Sequence, residues 1–173
     1  MIHFFGVGFS ENSWDQLTKR FGTTEKHIDQ LVEAGLIIKK DKGGYYDRFR
    51  NRVMFPIRDN RGDVVGFGGR VIDEDDDPKY LNSPETTLFK KGYLLYGLFE
   101  GKQEISNKKE VILVEGYTDV IGLAQYGINN ALATLGTATT ESHIKLIFQK
   151  ANELNFCFDA DNAGKKAAIR ALE

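Results

Sequence analysis

The stretch Val111-Ile112-Leu113-Val114-Glu115-Gly116 decides the fold: four apolar residues in a row, a carboxylate, then a residue that lets the backbone turn. An unbroken apolar run of strand length marks a strand covered on both faces, the situation of strands in parallel sheets. The pattern then repeats. A helix over about 118–126 stops at Gly127, and Ala131-Leu132-Ala133-Thr134-Leu135 reads as a second strand ended by Gly136. Thr139 or Thr140 caps a helix with Ile144, Ile147 and Phe148 on one side. Asn155-Phe156-Cys157-Phe158 is a third strand, and Asp161 or Asn162 caps a helix running to the end. The order βαβαβα predicts a parallel sheet with right-handed crossovers over residues 109–173.

Working outward, residues 1–108 change character and predict an α+β subdomain. A helix is expected over 10–22, with Ser10 or Asn12 as cap and Gly22 as stop, and a second from Thr24 to Gly35. Leu36-Ile37-Ile38, Arg52 to Ile57 and Asp63 to Ile72 read as strands, with Asp59-Asn60-Arg61-Gly62 as a hairpin turn. Residues 73–109 read as mostly irregular, with a short helix near Tyr96–Glu104 and an exposed connector at Ser106–Lys109. The first residues, Ile2-His3-Phe4-Phe5, begin inside a strand-like run and the last helix lacks a stop signal. Both features predict that the chain is cut from something longer.

The composition excludes several classes. Of 173 residues 41% are hydrophobic and 28% charged, which excludes a largely disordered chain, and no apolar run approaches the length of a spanning helix. The single cysteine, Cys157, can form neither an internal disulfide nor a zinc site, and sits between Phe156 and Phe158 as a packing residue. Net charge is −2, yet residues 39–70 hold nine Lys/Arg against four Asp/Glu while residues 110–173 hold five against eight. Asp73, Glu74, Asp75, Asp76 and Asp77 form a run of five carboxylates between them. A basic segment beside an acidic one suits a polyanion handled together with cations, or else a solvated surface with chance segregation.

The carboxyl ends of parallel strands are where ligands bind in open α/β sheets, and here those ends carry acids. Glu115 follows the first strand, Asp119 lies in the first turn of the next helix, and Asp159 and Asp161 follow the third strand. Such hard oxygen donors suit Mg²⁺ or Mn²⁺. They equally suit helix capping. Other motifs fail: Asn162-Ala163-Gly164-Lys165-Lys166 lacks the upstream glycine of a P-loop, and Gly66-Phe67-Gly68-Gly69 lacks the third glycine of a dinucleotide fingerprint. His3, His27 and His143 are scattered and read as surface or cap residues, and no Ser-His-Asp arrangement is visible.

Val114-Glu115-Gly116-Tyr117-Thr118-Asp119 with Phe158-Asp159-Ala160-Asp161-Asn162-Ala163-Gly164 resembles the Toprim fold shared by primases and topoisomerases. Upstream, the run from Tyr46 through Asp47-Arg48-Phe49-Arg50-Asn51-Arg52 to Ile57, the segment Gly66 to Arg70 and the segment Pro78 to Thr86 resemble the RNA polymerase domain of bacterial DNA primases. So do Phe89-Lys90-Lys91-Gly92 and Leu95-Tyr96-Gly97, and the resemblance covers nearly the whole chain. It implies a basic amino-terminal subdomain over 1–108, followed by an incomplete Toprim subdomain over 109–173.

The resemblance implies a catalytic-core fragment of a primase, making short RNA primers on single-stranded DNA by metal-dependent nucleotidyl transfer. Glu115, Asp159 and Asp161 become metal ligands for Mg²⁺ or Mn²⁺, with Asp119 a further member of the acidic set. Arg70, Lys79, Tyr80 and Lys91 become nucleic-acid and nucleotide contacts, and Arg48, Arg50 and Arg52 either join them or form a solvated strand face. The implied partners are a single-stranded DNA template, ribonucleoside triphosphates, the RNA primer, and a replicative helicase reached through a carboxyl-terminal domain not in this chain. Zinc belongs to the family's amino-terminal domain, outside this chain, and no membrane is involved; the expected location is the bacterial cytoplasm. A third acidic motif of the family lies beyond Glu173, so the piece alone is expected to be inactive or weak. The rival readings are another Toprim enzyme, of topoisomerase or nuclease type, and a non-catalytic single-strand-binding module.

Overall fold

The computed structural model describes residues 1–73 and 77–172, so Glu74, Asp75 and Asp76 of the acidic run lie outside the described residues, as does Glu173. The chain divides into two compact units. One holds residues 6–56 and 66–89, and the other holds residues 1–5, 57–65 and the chain from Lys90 onward.

Strands β1 (Gly8–Ser10), β4 (Arg52–Arg58), β5 (Val64–Val71) and β6 (Tyr80–Asn82) form one sheet in the order β1-β4-β5-β6. Strand β1 runs antiparallel to β4 with Phe9 opposite Val53, and β6 runs antiparallel to β5 with Leu81 opposite Gly69. The β4–β5 turn forms as its sequence predicts. Asp59 Oδ1 accepts from the backbone N–H groups of Arg61, Gly62 and Asp63. Gly62 sits at φ +100°, a conformation that side chains with a Cβ rarely adopt. Helices α2 (Gln16–Phe21) and α3 (Glu25–Glu33) and the two-stranded sheet β2 (Ile37–Lys39) with β3 (Tyr45–Asp47) complete the elements of the first unit. Its buried hydrophobic residues include Ile37, Phe49, Phe55 and Phe89.

The second unit is built on a parallel sheet, as its apolar runs predict. Strands β7 (Glu110–Val114), β8 (Ala131–Ala133) and β9 (Glu153–Phe156) lie in the order β8-β7-β9, both pairings parallel. Helices α4 (Leu98–Lys108), α5 (Tyr117–Gln125), α6 (Glu141–Phe148) and α7 (Asn162–Leu172) flank these strands in sequence. Leu95, Leu98, Ile105, Val111, Leu113, Leu132, Ile147 and Ala151 make its core. Leu113 is wholly buried at the centre of the middle strand, where truncation to alanine typically costs about 2–5 kcal/mol.

Several sequence expectations are corrected. Ile2–Phe5 is a short helix, α1, rather than a strand, because four apolar residues carry no period to tell the two apart. Ser10 ends strand β1 and does not cap a helix: its hydroxyl donates to Arg52 O and accepts from Arg52 N–H, and α2 starts only at Gln16. Residues 73–109 include strand β6, and α4 extends through most of the expected connector to Lys108. Strand β9 ends at Phe156, two residues earlier than read, and Cys157 is exposed, because β9 has a neighbour on one side only among the described residues. No helix among the described residues is long and apolar enough to cross a membrane.

Candidate active site and nucleic-acid interface

Glu115 leaves β7 at its carboxyl end, and Asp159 follows the end of β9 in the neighbouring strand. The ladder continues past β9 through Cys157 N–H to Leu113 O at 2.8 Å, and this carries Asp159 to the same edge of the sheet as Glu115. There the Asp159 backbone N–H donates to Glu115 Oε1 at 2.9 Å. Gly164 is needed for that approach: a Cβ there would lie 2.8 Å from Glu115 Oε1 and overlap the Asp159 carbonyl oxygen. The structure thus brings together Glu115 and the Asp159 loop.

The other two acids are held at helix starts. Asp119 Oδ2 accepts from Gly116 N–H at 3.0 Å in the first turn of α5, and Asp161 Oδ1 accepts from Gly164 N–H at 2.8 Å at the start of α7. These are the capping roles that the sequence left open. Among the described residues no three His, Cys, Asp or Glu side chains stand together as a ligand set, and Glu115, Asp119 and Asp161 each accept from a backbone amide. The donor set nevertheless fits a divalent cation by its chemistry. It offers exposed carboxylates from adjacent strand ends, and no Lys or Arg among the described residues forms an ion pair with Glu115, Asp119 or Asp159. A cleft of about 510 Å³ opens beside Glu115, lined among others by Thr134, Thr137, Thr139, Lys166 and Arg170. Lys166 appears in the sequence only as part of a failed P-loop; the repeated Thr residues after β8 are the signal that could have singled out this cleft.

On the basic side, Arg70 and Tyr80 face each other across β5 and β6, with the guanidinium carbon 5.8 Å from the ring centroid. Lys79 precedes Tyr80, is exposed, and is tied through its backbone carbonyl to Val71 N–H at 3.1 Å. The structure therefore gathers Arg70, Lys79 and Tyr80 on one strand pair. Lys91 belongs to the second unit, in a 3-10 turn at Lys91–Tyr93. Its carbonyl oxygen faces His143 Nε2 at 2.8 Å, while His143 Nδ1 accepts from Thr140 N–H at 3.1 Å. A carbonyl can only accept, so His143 is neutral and protonated on Nε2, and burial lowers its pKa against the opposing pull of the Lys91 and Leu94 carbonyls. His143 is thus a cap residue as read, but a fully buried one rather than a surface one.

The three arginines of the basic segment separate. Arg48 donates from Nε and Nη2 to Asn82 O at 3.2 and 3.0 Å, and burial lowers its pKa. Arg52 donates to Pro78 O at 2.8 Å. Neither is a solvated strand face; both staple the Pro78–Asn82 segment. Arg50 donates to Asp47 O and lies over Trp14, its guanidinium carbon 4.1 Å from the ring centroid. Trp14 lies before α2, within the stretch 10–22 expected to be helical, and Tyr46 is a second ring partner of Arg50 that the sequence did not single out.

Comparison with known proteins matches the chain to two family models in succession. Residues 1–102 match the family described as the DNA primase catalytic core, N-terminal domain, and residues 109–173 match the Toprim domain. The DNA primase of Escherichia coli strain K12 is 54% identical over 169 residues, 98% of this chain and 29% of that protein. The DNA primase of Pseudomonas aeruginosa is 56% identical over 170 residues, 98% of this chain and 26% of that protein. The chain therefore spans under a third of the length of these relatives. Among solved structures, a DNA primase domain from Pseudomonas aeruginosa superposes with a TM-score of 0.95 at 55% identity, covering 99% of this chain and 53% of that one. A DnaG primase catalytic domain bound to single-stranded DNA gives 0.92 at 52% identity, covering 99% and 53%.

Proposed function

The chain belongs to the DNA primase catalytic-core family, and from that membership we propose that it is the part of a bacterial primase that builds RNA primers on single-stranded DNA. The observation that carries the proposal is the hydrogen bond from Asp159 N–H to Glu115 Oε1, which ties two carboxylate-bearing strand ends together inside the Toprim match. The reaction is attack of a primer 3′-hydroxyl on the α-phosphate of a ribonucleoside triphosphate, with pyrophosphate leaving. Glu115, Asp159 and Asp161 would hold Mg²⁺ or Mn²⁺, with Asp119 at the margin of the set. The cation, when bound, supplies Lewis-acid activation of the hydroxyl and neutralises charge on the phosphates.

The protein's own contribution is placement. The β7–β9 pairing sets Glu115 beside the Asp159 loop, and the lack of a side chain at Gly164 leaves room for the two to meet. Arg70, Lys79 and Lys91 neutralise template or nucleotide phosphates, and Tyr80 offers a ring face to a base. The single-stranded DNA in a relative's structure supports that template assignment. Helicase contact through a carboxyl-terminal domain not in this chain and the cytoplasmic replication site follow from the family reading, and the Toprim match beginning at residue 109 supports a subdomain boundary at 108/109.

The test is incorporation of labelled ribonucleotides on a single-stranded template with Mg²⁺ or Mn²⁺ by a full-length primase carrying this segment, comparing wild type with Asp159→Asn. Metal-dependent synthesis lost in the variant is the expected result. Synthesis that survives the substitution or ignores the cation overturns the assignment.

A further inference from the structure

The 3-10 turn Lys91–Tyr93 has little of its own to hold it in place. Its internal hydrogen bonds run from Tyr93 N–H to Lys90 O at 3.0 Å and from Leu94 N–H to Lys91 O at 3.5 Å, the second at the limit of useful geometry. Gly92 has no side chain to pack and Tyr93 keeps 67% of its surface exposed, so neither anchors the turn in the core. Yet Lys91 carries the charge to which the proposed reaction gives a phosphate. A lysine on a loosely tied turn has to order backbone as well as side chain when it binds.

The anchor comes from α6, through two successive carbonyls of the turn. His143 Nε2–H donates to Lys91 O and Thr140 Oγ1 donates to Gly92 O, both at 2.8 Å. These groups all belong to the second unit. The usual partner of a capping threonine, three residues on, is Glu or Gln. Here it is a wholly buried histidine. Its Nδ1 closes the capping box with Thr140 N–H at 3.1 Å, and its other nitrogen crosses to a residue 52 positions away. A cap alone needs one nitrogen; this ring uses both. Thr139, immediately before the cap, lines the cleft beside Glu115. The start of α6 thus borders the cleft with one residue and clamps the Lys91 turn with the next.

We propose that His143 is a positioning residue for Lys91: with Thr140 it orders the turn, so that Lys91 meets a phosphate of template or nucleotide on a backbone already fixed. The inference rests on the phosphate role proposed for Lys91, and adds to it a residue that touches no ligand itself. Its contribution is to remove an ordering cost from binding rather than to make a contact.

The test is a double-substitution cycle in a full-length primase carrying this segment. Anisotropy gives Kd for an oligothymidylate, and incorporation of a labelled ribonucleoside triphosphate gives KM and kcat. Lys91→Ala is expected to raise one constant about fivefold: Kd if the phosphate is the template's, KM if it is the nucleotide's. His143→Leu fills the space but bonds neither Thr140 N–H nor Lys91 O. It is expected to raise the same constant by a similar factor and to leave kcat within about twofold of wild type. The double variant is expected to match Lys91→Ala, because the ring then has nothing left to place. His143→Gln, whose amide supplies both an acceptor and a donor, is expected to recover most of the loss. Should His143→Leu fail to fold, Thr140→Val carries the same prediction at smaller size through the lost bond to Gly92 O. A histidine effect that persists in the Lys91→Ala background, a loss confined to kcat, or a folded His143→Leu that shifts neither constant overturns the positioning role and leaves the primase reading standing. A Lys91→Ala variant that shifts neither constant takes the phosphate role from Lys91 and this inference with it, while metal-dependent synthesis is read separately by Asp159→Asn.

Discussion

At the scale of single residues, Glu115 has two separable jobs. Its Oε1 accepts the Asp159 N–H, which is structural, and its charge serves a cation, which is chemical. Glu115→Gln keeps an acceptor oxygen and removes the charge; Glu115→Ala removes both. The glutamine variant is expected to unfold within about 1 kcal/mol of wild type, and the alanine variant to lose about 1–2 kcal/mol more. In a full-length primase carrying this segment, nucleotide incorporation should fall in both by roughly 100-fold or more, since charge neutralisation at phosphate is worth several kcal/mol. Urea unfolding and the incorporation assay on both variants decide this. Loss of activity in proportion to stability would reduce Glu115 to a loop staple. Glu115 and Asp159 were legible because each stands directly after an apolar run in the sequence. The separate fates of Arg48, Arg50 and Arg52 were not, because their partners Asn82, Pro78 and Trp14 lie on other segments of the first unit and local spacing carries no trace of them.

At the scale of elements, His143 is the piece that joins α6 to the Lys91 turn. Thr140 Oγ1 accepts from His143 N–H and donates to Gly92 O at 2.8 Å, so ring and hydroxyl together fix the turn to the helix start. Protonating the ring would put a proton on Nδ1 and abolish its acceptor role toward Thr140 N–H. The folded-state pKa lies below the ordinary value, so the stability from His143 is fully present above about pH 6.5 and is lost as pH falls through the folded value. His143→Ala is expected to cost about 2–4 kcal/mol at pH 7.5, from a cavity and two lost buried hydrogen bonds. The gap to wild type should narrow at pH 5. Denaturant titrations at the two pH values check it, and a gap that stays constant would show that the ring never titrates in this range. The helices with clear caps, at Thr24 and Thr140, were readable from sequence, as was the Asp59–Gly62 turn. Strands β1, β3 and β6 were not: each has three residues, less than two full alternations, and lacks the apolar run that marked the equally short β2 and β8.

At the scale of the whole molecule, the net charge of −2 argues against affinity for another polyanion, and only the uneven placement of charge permits it. Binding to a single strand must then come from local contacts, each releasing counterions as it forms, so affinity should fall steeply as salt rises. Lys79 is the cleanest probe of this. Its backbone carbonyl holds Val71 N–H, a bond that alanine keeps, and its exposed side chain forms no ion pair among the described residues. Lys79→Ala should therefore leave thermal unfolding unchanged while weakening strand binding. The plot of log K against log salt should become shallower by about 0.7, the share of one phosphate contact on a single strand. Lys26→Ala, an exposed lysine on α3 outside the basic segment, is the control and should leave the slope as it is. Filter-binding or anisotropy isotherms across a series of salt concentrations give both slopes. If the two variants match wild type, Lys79 faces only water, and the template assignment would have to rest on Arg70 and Tyr80 without it.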